Sequence, residues 1–91
     1  MKDYPIVLSI AGSDPSGGAG IQADIKAISA CGGYAAAAVT AVTVQNTQGV
    51  SSVEYLSGDV VAAQVDAVMS DLAVDAVNIG MTGTVPIVEA I

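Results

Sequence analysis

Short apolar runs alternate with helix-like periodicity along this 91-residue chain. Residues 5–11 form a nearly continuous apolar run with β-branched side chains, a pattern typical of a strand buried on both faces of a sheet. Farther along, Ile21, Ile25 and Ile28 recur at the spacing of one helix face, and the glycine pair at 32–33 is a typical C-terminal cap. The first third therefore predicts a strand, a glycine-rich loop and a helix.

The rest of the chain continues this alternation of strands and helices. Residues 57–59 (Ser-Gly-Asp) are a typical helix start, and apolar residues then follow at helical spacing. This apolar stripe consists of Val61, Val65, Val68, Met69 and Leu72. The predicted elements, in order, are a buried strand from about Ala37 to Val44, a polar turn at 45–49, a short edge strand at 50–56, this helix, a third buried strand at 75–80 and the start of a further helix at 85–91.

This order of elements predicts an α/β protein, because strands joined through helices pair in parallel by right-handed crossovers. Ligands bind such sheets beyond the carboxyl ends of the strands. Three polar or glycine-rich segments occupy those ends, at 12–20, 45–49 and 80–84. The sequence therefore predicts one ligand site where these segments meet. Because the last predicted helix stops after about two turns, we expect residues 1–91 to be part of a single, longer domain.

Charge and residue types exclude several classes of function. Two Lys and Arg residues against nine Asp and Glu give a net charge of −7, which repels nucleic acid and anionic membrane surfaces. The chain has no histidine and one cysteine, Cys31, which excludes a histidine base and a Cys/His metal site; we expect Cys31 to be a buried structural thiol. No apolar run is long enough to span a membrane and the start lacks a signal-peptide pattern, so we expect a cytoplasmic protein.

The glycine-rich segment at 12–20 fits two phosphate-binding motifs only in part. Its glycine spacing matches a P-loop, but Gly18 and Ala19 stand where a P-loop needs Lys and Ser or Thr. A GxGxxA match at 18–23 begins too far beyond the strand, and no acidic residue follows the second strand to bind a ribose, which disfavours a dinucleotide site. A plain connection stays an alternative, although the segment exceeds the usual length of one.

Three parts of the chain offer candidates for ligand binding by their chemistry. Asp24 flanks the apolar face of the first helix near its N-terminus, where the helix dipole favours an ionised hydrogen-bond acceptor; the alternative is a solvated carboxylate. The polar segment Gln-Asn-Thr-Gln at 45–48 follows the second strand, and its amides and hydroxyl can read a polar heterocycle or cap a turn. Met81 is either an apolar wall for a flat ligand or a core residue.

Three blocks of this sequence resemble the hydroxymethylpyrimidine/phosphomethylpyrimidine kinases of thiamine biosynthesis. The blocks are IAGSDPSGGAGIQADIK (10–26), TAVTVQNTQGV (40–50) and VNIGM (77–81), and they follow the order and spacing of that family. The resemblance covers essentially the whole chain. It implies a ribokinase-like fold, a three-layer α/β/α arrangement around a mostly parallel sheet, in a domain longer than this chain.

The resemblance also implies a function and a set of site residues. This chain would supply the substrate-binding part of a kinase that uses ATP and Mg²⁺ to phosphorylate 4-amino-5-hydroxymethyl-2-methylpyrimidine and its monophosphate. The residues that would line the aminopyrimidine pocket are Gly12, Asp24, Val44, Gln45 and Met81. Asp24 and Gln45 would read the amino group and ring nitrogens, while Val44 and Met81 would sandwich the ring.

By the same resemblance, catalysis is completed outside these residues. The ATP site and the catalytic cysteine of the family belong to its C-terminal part, so no catalytic residue or metal ligand is expected here and the chain alone is expected to be inactive. Asn78 departs from the lysine of many relatives, and relatives commonly form homodimers. Two alternatives stay open: a pyridoxal kinase of the same superfamily, and a non-catalytic module that binds a small heterocycle or assembles with another chain.

Overall fold

The structure, a computed structural model, describes residues 3–80 of the chain. Its elements are β1 (Ile6–Ser13), α1 (Gly20–Ala30), β2 (Tyr34–Asn46), β3 (Gly49–Tyr55), α2 (Gly58–Asp71) and β4 (Ala76–Ile79). The helix predicted at 85–91 lies outside the described residues. Every other predicted helix and strand is present, with shifted ends. The expectation that the strand at 75–80 is buried is wrong: all four residues of β4 are exposed, because among the described residues β4 lies at the edge of the sheet with β1 as its neighbour. Within the described range, no helix is long and apolar enough to cross a membrane.

The four strands form one sheet in the order β3-β2-β1-β4. β1 pairs in parallel with β2 on one side and with β4 on the other, whereas β3 pairs antiparallel with β2. The predicted mostly parallel sheet and the predicted edge position of β3 are therefore confirmed. Because β1, β2 and β4 are parallel, their carboxyl ends lie at the same edge of the sheet.

Strand β2 is longer at both ends than the sequence pattern predicts. It begins at Tyr34 instead of near Ala37, because the alanines at 35–38 pair in register with β1. It also continues through Gln45 and Asn46, which the pattern assigns to a turn but which pair with β3. Backbone pairing with two neighbouring strands thus overrides the weak strand preference of these residue types.

The two helices cover opposite faces of the sheet. Leu8 and Ile10 of β1 belong to the core on which Val65 and Val68 of α2 pack. Ser9, which lies between them on the strand, donates a hydrogen bond to a carboxylate on α1. Because successive side chains of a strand point to opposite faces, α1 and α2 lie on different sides. The described residues therefore form the predicted α/β/α layers.

Helix α2 starts as the sequence predicts. The Ser57 hydroxyl accepts a hydrogen bond from the N–H of Val60 at 3.2 Å, which caps the first turn. Val61, in that first turn, is fully buried. Near the other end of the predicted apolar stripe, Met69 is 50% exposed. Packing on the sheet is therefore tightest at the start of α2.

Helix α1 is less buried than the sequence predicts. None of its residues is buried, and Ile25 of the predicted packed face is 37% exposed. The helix packs on β1 and β2, and the first part of β2 is rich in alanine, whose short side chains enclose less of the isoleucines. The expectation of a buried Cys31 is wrong: Cys31 is exposed, because it is the C-cap residue beyond the last helical turn.

The side chain of Gln64 closes an open stretch of the sheet edge. β3 pairs with β2 only from Ala41 onward, so it does not reach Val39. The Val39 N–H donates to Gln64 Oε1 at 2.8 Å, and Gln64 Nε2 donates to the Val39 carbonyl at 2.8 Å. The amide on α2 thus takes the place of a neighbouring strand and satisfies both backbone groups.

A close approach between the start of α1 and the end of β1 fixes the position of the helix. Gly20, the first residue of α1, has a φ of +60°. A Cβ at this position would collide with the carbonyl oxygen of Gly12. Glycine is therefore required both for the backbone conformation and for space. The contact places the first turns of α1 at the carboxyl ends of the strands.

The two hydrogen bonds between the Gln64 amide and the Val39 backbone, here called the amide clamp, predict a loss of stability in the Gln64→Leu variant. The substitution leaves the N–H and C=O of Val39 without the amide, and the free energy of unfolding should fall by about 2 kcal/mol. Urea denaturation measures this change. The control is Gln48→Leu at an exposed position in the β2–β3 turn, which should change stability by less than about 0.5 kcal/mol. Equal losses at the two positions would contradict the clamp.

The close approach of Gly20 to the Gly12 carbonyl predicts that two glycine substitutions lower the free energy of unfolding by unequal amounts. Gly32 has a φ of +88°, and a Cβ added there would meet open space, so Gly32→Ala tests the backbone conformation alone. That conformation costs an alanine about 1 kcal/mol. Gly20→Ala adds the collision with a backbone oxygen and should cost more than about 3 kcal/mol. Urea unfolding of both variants measures the difference, and similar losses would rule out a tight α1–β1 contact.

Candidate functional site

The Asp14 carboxylate organises the loop between β1 and α1. Asp14 is 4% exposed, and Oδ1 accepts hydrogen bonds from the N–H and the hydroxyl of Ser16, at 2.9 and 2.6 Å. Oδ2 accepts from the N–H of Gly18 at 3.1 Å. The Asp14 N–H in turn donates to Gln22 Oε1 at 2.8 Å, which ties the loop to α1. Asp14 is therefore a loop-holding residue whose oxygens are already engaged.

These donors also change the acidity of Asp14. The Ser16 hydroxyl, helped by the backbone N–H groups of Ser16, Ala19 and Gly18, holds the pKa of Asp14 below its ordinary value of 3.8. Desolvation acts in the opposite direction but does not reverse the shift. A carboxylate whose pKa is lowered by folding stabilises the fold in its ionised form.

Asp24 lies where α1 passes over the sheet. The hydroxyl of the fully buried Ser9 donates to Asp24 Oδ2 at 2.6 Å, and Asn78 Nδ2 donates to the same oxygen at 3.3 Å. Ser9 and Asn78 are register partners in β1 and β4, which explains why both reach one carboxylate. No described residue bonds to Oδ1, so this oxygen remains an acceptor for a ligand.

Gln45 is held at the end of β2 by Thr43. The Thr43 hydroxyl donates to the carbonyl of Ser13 at 2.6 Å, and Gln45 Nε2 donates to Thr43 Oγ1 at 2.8 Å. Both side chains lie on the same face of β2, since they are two residues apart. The end of β2 is thereby joined to the end of β1.

Asp24 and Gln45 line one cavity of about 420 Å³ at the carboxyl ends of the strands. Its lining residues are Ala11, Gly12, Ser13, Asp14, Ala19, Gly20, Asp24, Thr43, Gln45, Val50, Val53, Asn78, Ile79 and Gly80. They come from β1, the β1–α1 loop, α1, β2, β3 and β4. The cavity lies where the sequence predicts a ligand site.

The structure brings together three of the five residues predicted for the pocket: Gly12, Asp24 and Gln45. Met81 lies outside the described residues. Val44 is not among the described residues of the cavity and is 56% exposed, because it points to the opposite face of β2 from Gln45. Its role in the pocket stays a prediction that the cavity does not support.

Other residues of the site are absent from the sequence prediction. Val50 and Val53 of β3 supply the apolar wall on the side of Gln45. Thr43 and Ser9 hold the two polar side chains. Two signals point to them: Ser9 is polar within a buried apolar run, and Thr43 shares a strand face with Gln45. The two valines follow only from the β2–β3 pairing.

The described residues offer acceptors for a neutral polar ligand, and no metal centre. No group of three or more His, Cys, Asp or Glu residues within 3–80 could hold a metal ion. Lys26 is not among the described residues that line the cavity, and its amine donates to the carbonyl of Gly17 at 2.8 Å. The site therefore suits a small heterocycle with hydrogen-bond donors better than an anion.

The low pKa of Asp14 predicts a pH-dependent contribution to stability. Because folding lowers the pKa, the contribution is complete above the ordinary value of 3.8 and is lost as the pH falls through the lower folded value. The stability difference between the wild-type chain and Asp14→Asn should therefore shrink between about pH 4 and about pH 2. Urea unfolding across this range measures it, with Asp66→Asn, exposed on α2, as the control. A difference that does not vary with pH would contradict the role of Asp14.

A family model described as phosphomethylpyrimidine kinase matches residues 14–91. Hydroxymethylpyrimidine/phosphomethylpyrimidine kinase of Rhizobium meliloti (strain 1021) is 58% identical over 86 residues, which are 94% of this chain and 32% of the relative. The chain thus spans about a third of the length of the curated relatives it matches.

Two solved structures resemble this chain closely. Phosphomethylpyrimidine kinase of Clostridium difficile 630 has a TM-score of 0.87 and 47% identity, covering 96% of this chain and 39% of that one. Pyridoxal kinase of Staphylococcus aureus in complex with AMP-PCP and pyridoxal has a TM-score of 0.80 and 38% identity, covering 91% and 31%. These likenesses confirm the ribokinase-like α/β fold that the sequence predicts. Because the family model matches well over half of the chain, this chain belongs to the phosphomethylpyrimidine kinase family.

Proposed function

We propose that this chain supplies the substrate-binding part of a kinase that phosphorylates 4-amino-5-hydroxymethyl-2-methylpyrimidine and its monophosphate in thiamine biosynthesis. The observation that carries the proposal is the convergence of Asp24 and Gln45 on one cavity, in a chain of this family. Residues 1–91 would be the N-terminal part of a single kinase domain, which agrees with the share of the relatives that the chain spans.

The chemistry of the cavity supports an aminopyrimidine as ligand. Its volume of about 420 Å³ suits one small heterocycle. Asp24 Oδ1 accepts hydrogen bonds, as the amino group of the ring requires, and the Gln45 amide can donate to a ring nitrogen while it accepts from the amino group. Val50 and Val53 offer apolar contact to the flat ring. Gly12 and Gly80 have no side chains, so the ring can approach their backbone atoms.

We also propose that ATP is the phosphoryl donor and that Mg²⁺ assists it. AMP-PCP, an analogue of ATP, is present in the Staphylococcus aureus relative with pyridoxal. Residues 3–80 contain no group of three or more His, Cys, Asp or Glu residues that could hold a metal ion, and Lys26 is not among the described residues that line the cavity. Catalytic and nucleotide-binding residues would then lie elsewhere in the enzyme. The expectations of a cytoplasmic location and a homodimer stay predictions.

The proposal predicts activity in a chimaera. In it, residues 1–91 replace the matching segment of the Rhizobium meliloti relative, which supplies the remainder of the enzyme. The chimaera should phosphorylate the aminopyrimidine with ATP. Gln45→Ala removes the paired hydrogen bonds of the amide and should lower kcat/KM by at least about tenfold, as expected for a loss of about 1.4 kcal/mol or more. Asp24→Asn should lower it similarly, because an acceptor becomes a partial donor.

The matched control is Asp66→Asn, which makes the same chemical change at an exposed position on α2 and should leave kcat/KM unchanged. Thermal unfolding of each variant separates loss of the site from loss of the fold. A folded chimaera that transfers no phosphate to the pyrimidine would contradict the proposed function. Full activity of Gln45→Ala and Asp24→Asn would instead place the substrate outside this cavity.

A pyridoxal kinase is the second candidate, favoured by the solved pyridoxal kinase that resembles this chain. Pyridoxal also carries a hydroxymethyl group on a six-membered ring, so it has the same acceptor for phosphate. The ratio of kcat/KM for the two substrates in the chimaera separates the candidates. Binding without turnover of either substrate would favour a non-catalytic binding module.

A further inference from the structure

The hydrogen bonds of Thr43 have a fixed direction. Thr43 is 7% exposed, and its single hydroxyl proton lies between Oγ1 and the Ser13 carbonyl, 2.6 Å apart. A carbonyl can only accept, so the hydroxyl must donate to Ser13. If it turned away, two oxygen lone pairs would face each other at that distance. Thr43 Oγ1 is therefore left as an acceptor toward Gln45.

This direction determines which end of the Gln45 amide faces Thr43. The amide contacts Thr43 Oγ1 at 2.8 Å, and only its nitrogen can donate to an acceptor. The reversed amide would bring Gln45 Oε1 against Oγ1 with no proton between them. The nitrogen and oxygen ends of an amide are alike in shape, so hydrogen bonds alone decide its orientation. Here one threonine decides it.

We propose that Thr43 is a positioning residue that fixes the Gln45 amide and so selects the hydrogen-bonding edge of the ligand. With one Nε2 proton used by Thr43, Gln45 offers the cavity the acceptor Oε1 and one N–H, in a fixed order. That order matches an amino group beside an unprotonated ring nitrogen. An oxo group beside a ring N–H presents the reverse order. This proposal rests on the proposed aminopyrimidine substrate.

A structural role alone would be a simpler account of Thr43. The hydroxyl joins the ends of β1 and β2, so removing it could loosen the cavity for any ligand. Such loosening weakens two ligands of equal size equally. Loss of orientation instead changes the ratio of their affinities, because a freed amide can turn to match either edge. The ratio therefore separates the two roles.

The test is a calorimetric titration of the 91-residue chain with two probes. These are 4-amino-5-hydroxymethyl-2-methylpyrimidine and its 4-oxo analogue, in which the order of donor and acceptor is reversed. The wild-type chain should prefer the amino compound. Thr43→Val, which keeps the shape and removes the hydroxyl, should reduce that preference by about tenfold. Thr43→Ser keeps the hydroxyl and should retain the preference.

A measurement without ligand accompanies the titration. The side-chain amide protons of Gln45 in NMR spectra should show protection from exchange with water in the wild type and in Thr43→Ser, and lose it in Thr43→Val. Equal protection in all three chains would overturn the proposal. So would an unchanged affinity ratio in a folded Thr43→Val chain. A wild-type chain that binds neither probe would overturn the proposed substrate and the claim that Gln45 selects the edge of the ligand. The exchange data would then still decide whether Thr43 fixes the Gln45 amide.

Discussion

The contact between Gly20 and the carbonyl of Gly12 is the constraint on which the site depends. It lets α1 begin directly on the end of β1, where any side chain at Gly20 would hold the helix away. Asp24 follows four residues later, which corresponds to about 6 Å along the helix axis. At that position its carboxylate accepts hydrogen bonds from Ser9 and Asn78 of the sheet. A small displacement of the helix would separate these partners, since hydrogen bonds weaken steeply with distance and angle.

The two carboxylates at the cavity have different roles because their donors differ. Asp14 accepts from Ser16 and Gly18 through both oxygens, so its charge is used within the loop. Ser9 and Asn78 share one oxygen of Asp24, and no described residue bonds to the other. Position relative to the strands thus assigns Asp14 to the loop and leaves Asp24 with the acceptor that the proposed recognition of a ligand requires. The distinction follows from hydrogen-bond accounting, since both residues are aspartates beside the same loop.

The local pattern was sufficient to predict the elements and the location of the site, but only part of its wall. Parallel pairing of the strands and the meeting of three polar segments are predicted from apolar periodicity and from the helices that connect the strands, whereas the order of the strands in the sheet is not. Alternation along β2 also shows that Val44 and Gln45 cannot share a face, although the family resemblance assigns both to the pocket. Val50 and Val53 depend on the register of the β2–β3 hairpin, where one strand carries an extra residue. Such a bulge is not visible in a pattern of apolar and polar positions.

The acceptor-rich cavity also accounts for a division of work within the proposed enzyme. An aminopyrimidine is recognised by groups that accept hydrogen bonds, whereas phosphoryl transfer needs donors and positive charge around the phosphate. In a space of about 420 Å³ these demands conflict, because a cation placed beside Asp24 would pair with it and remove the acceptor. Within the described residues the conflict is avoided: the Lys26 amine is held by the Gly17 carbonyl, and Asp24 is held by neutral donors. Neutral partners keep the carboxylate in place without neutralising it, so the ligand's amino group remains its strongest available donor.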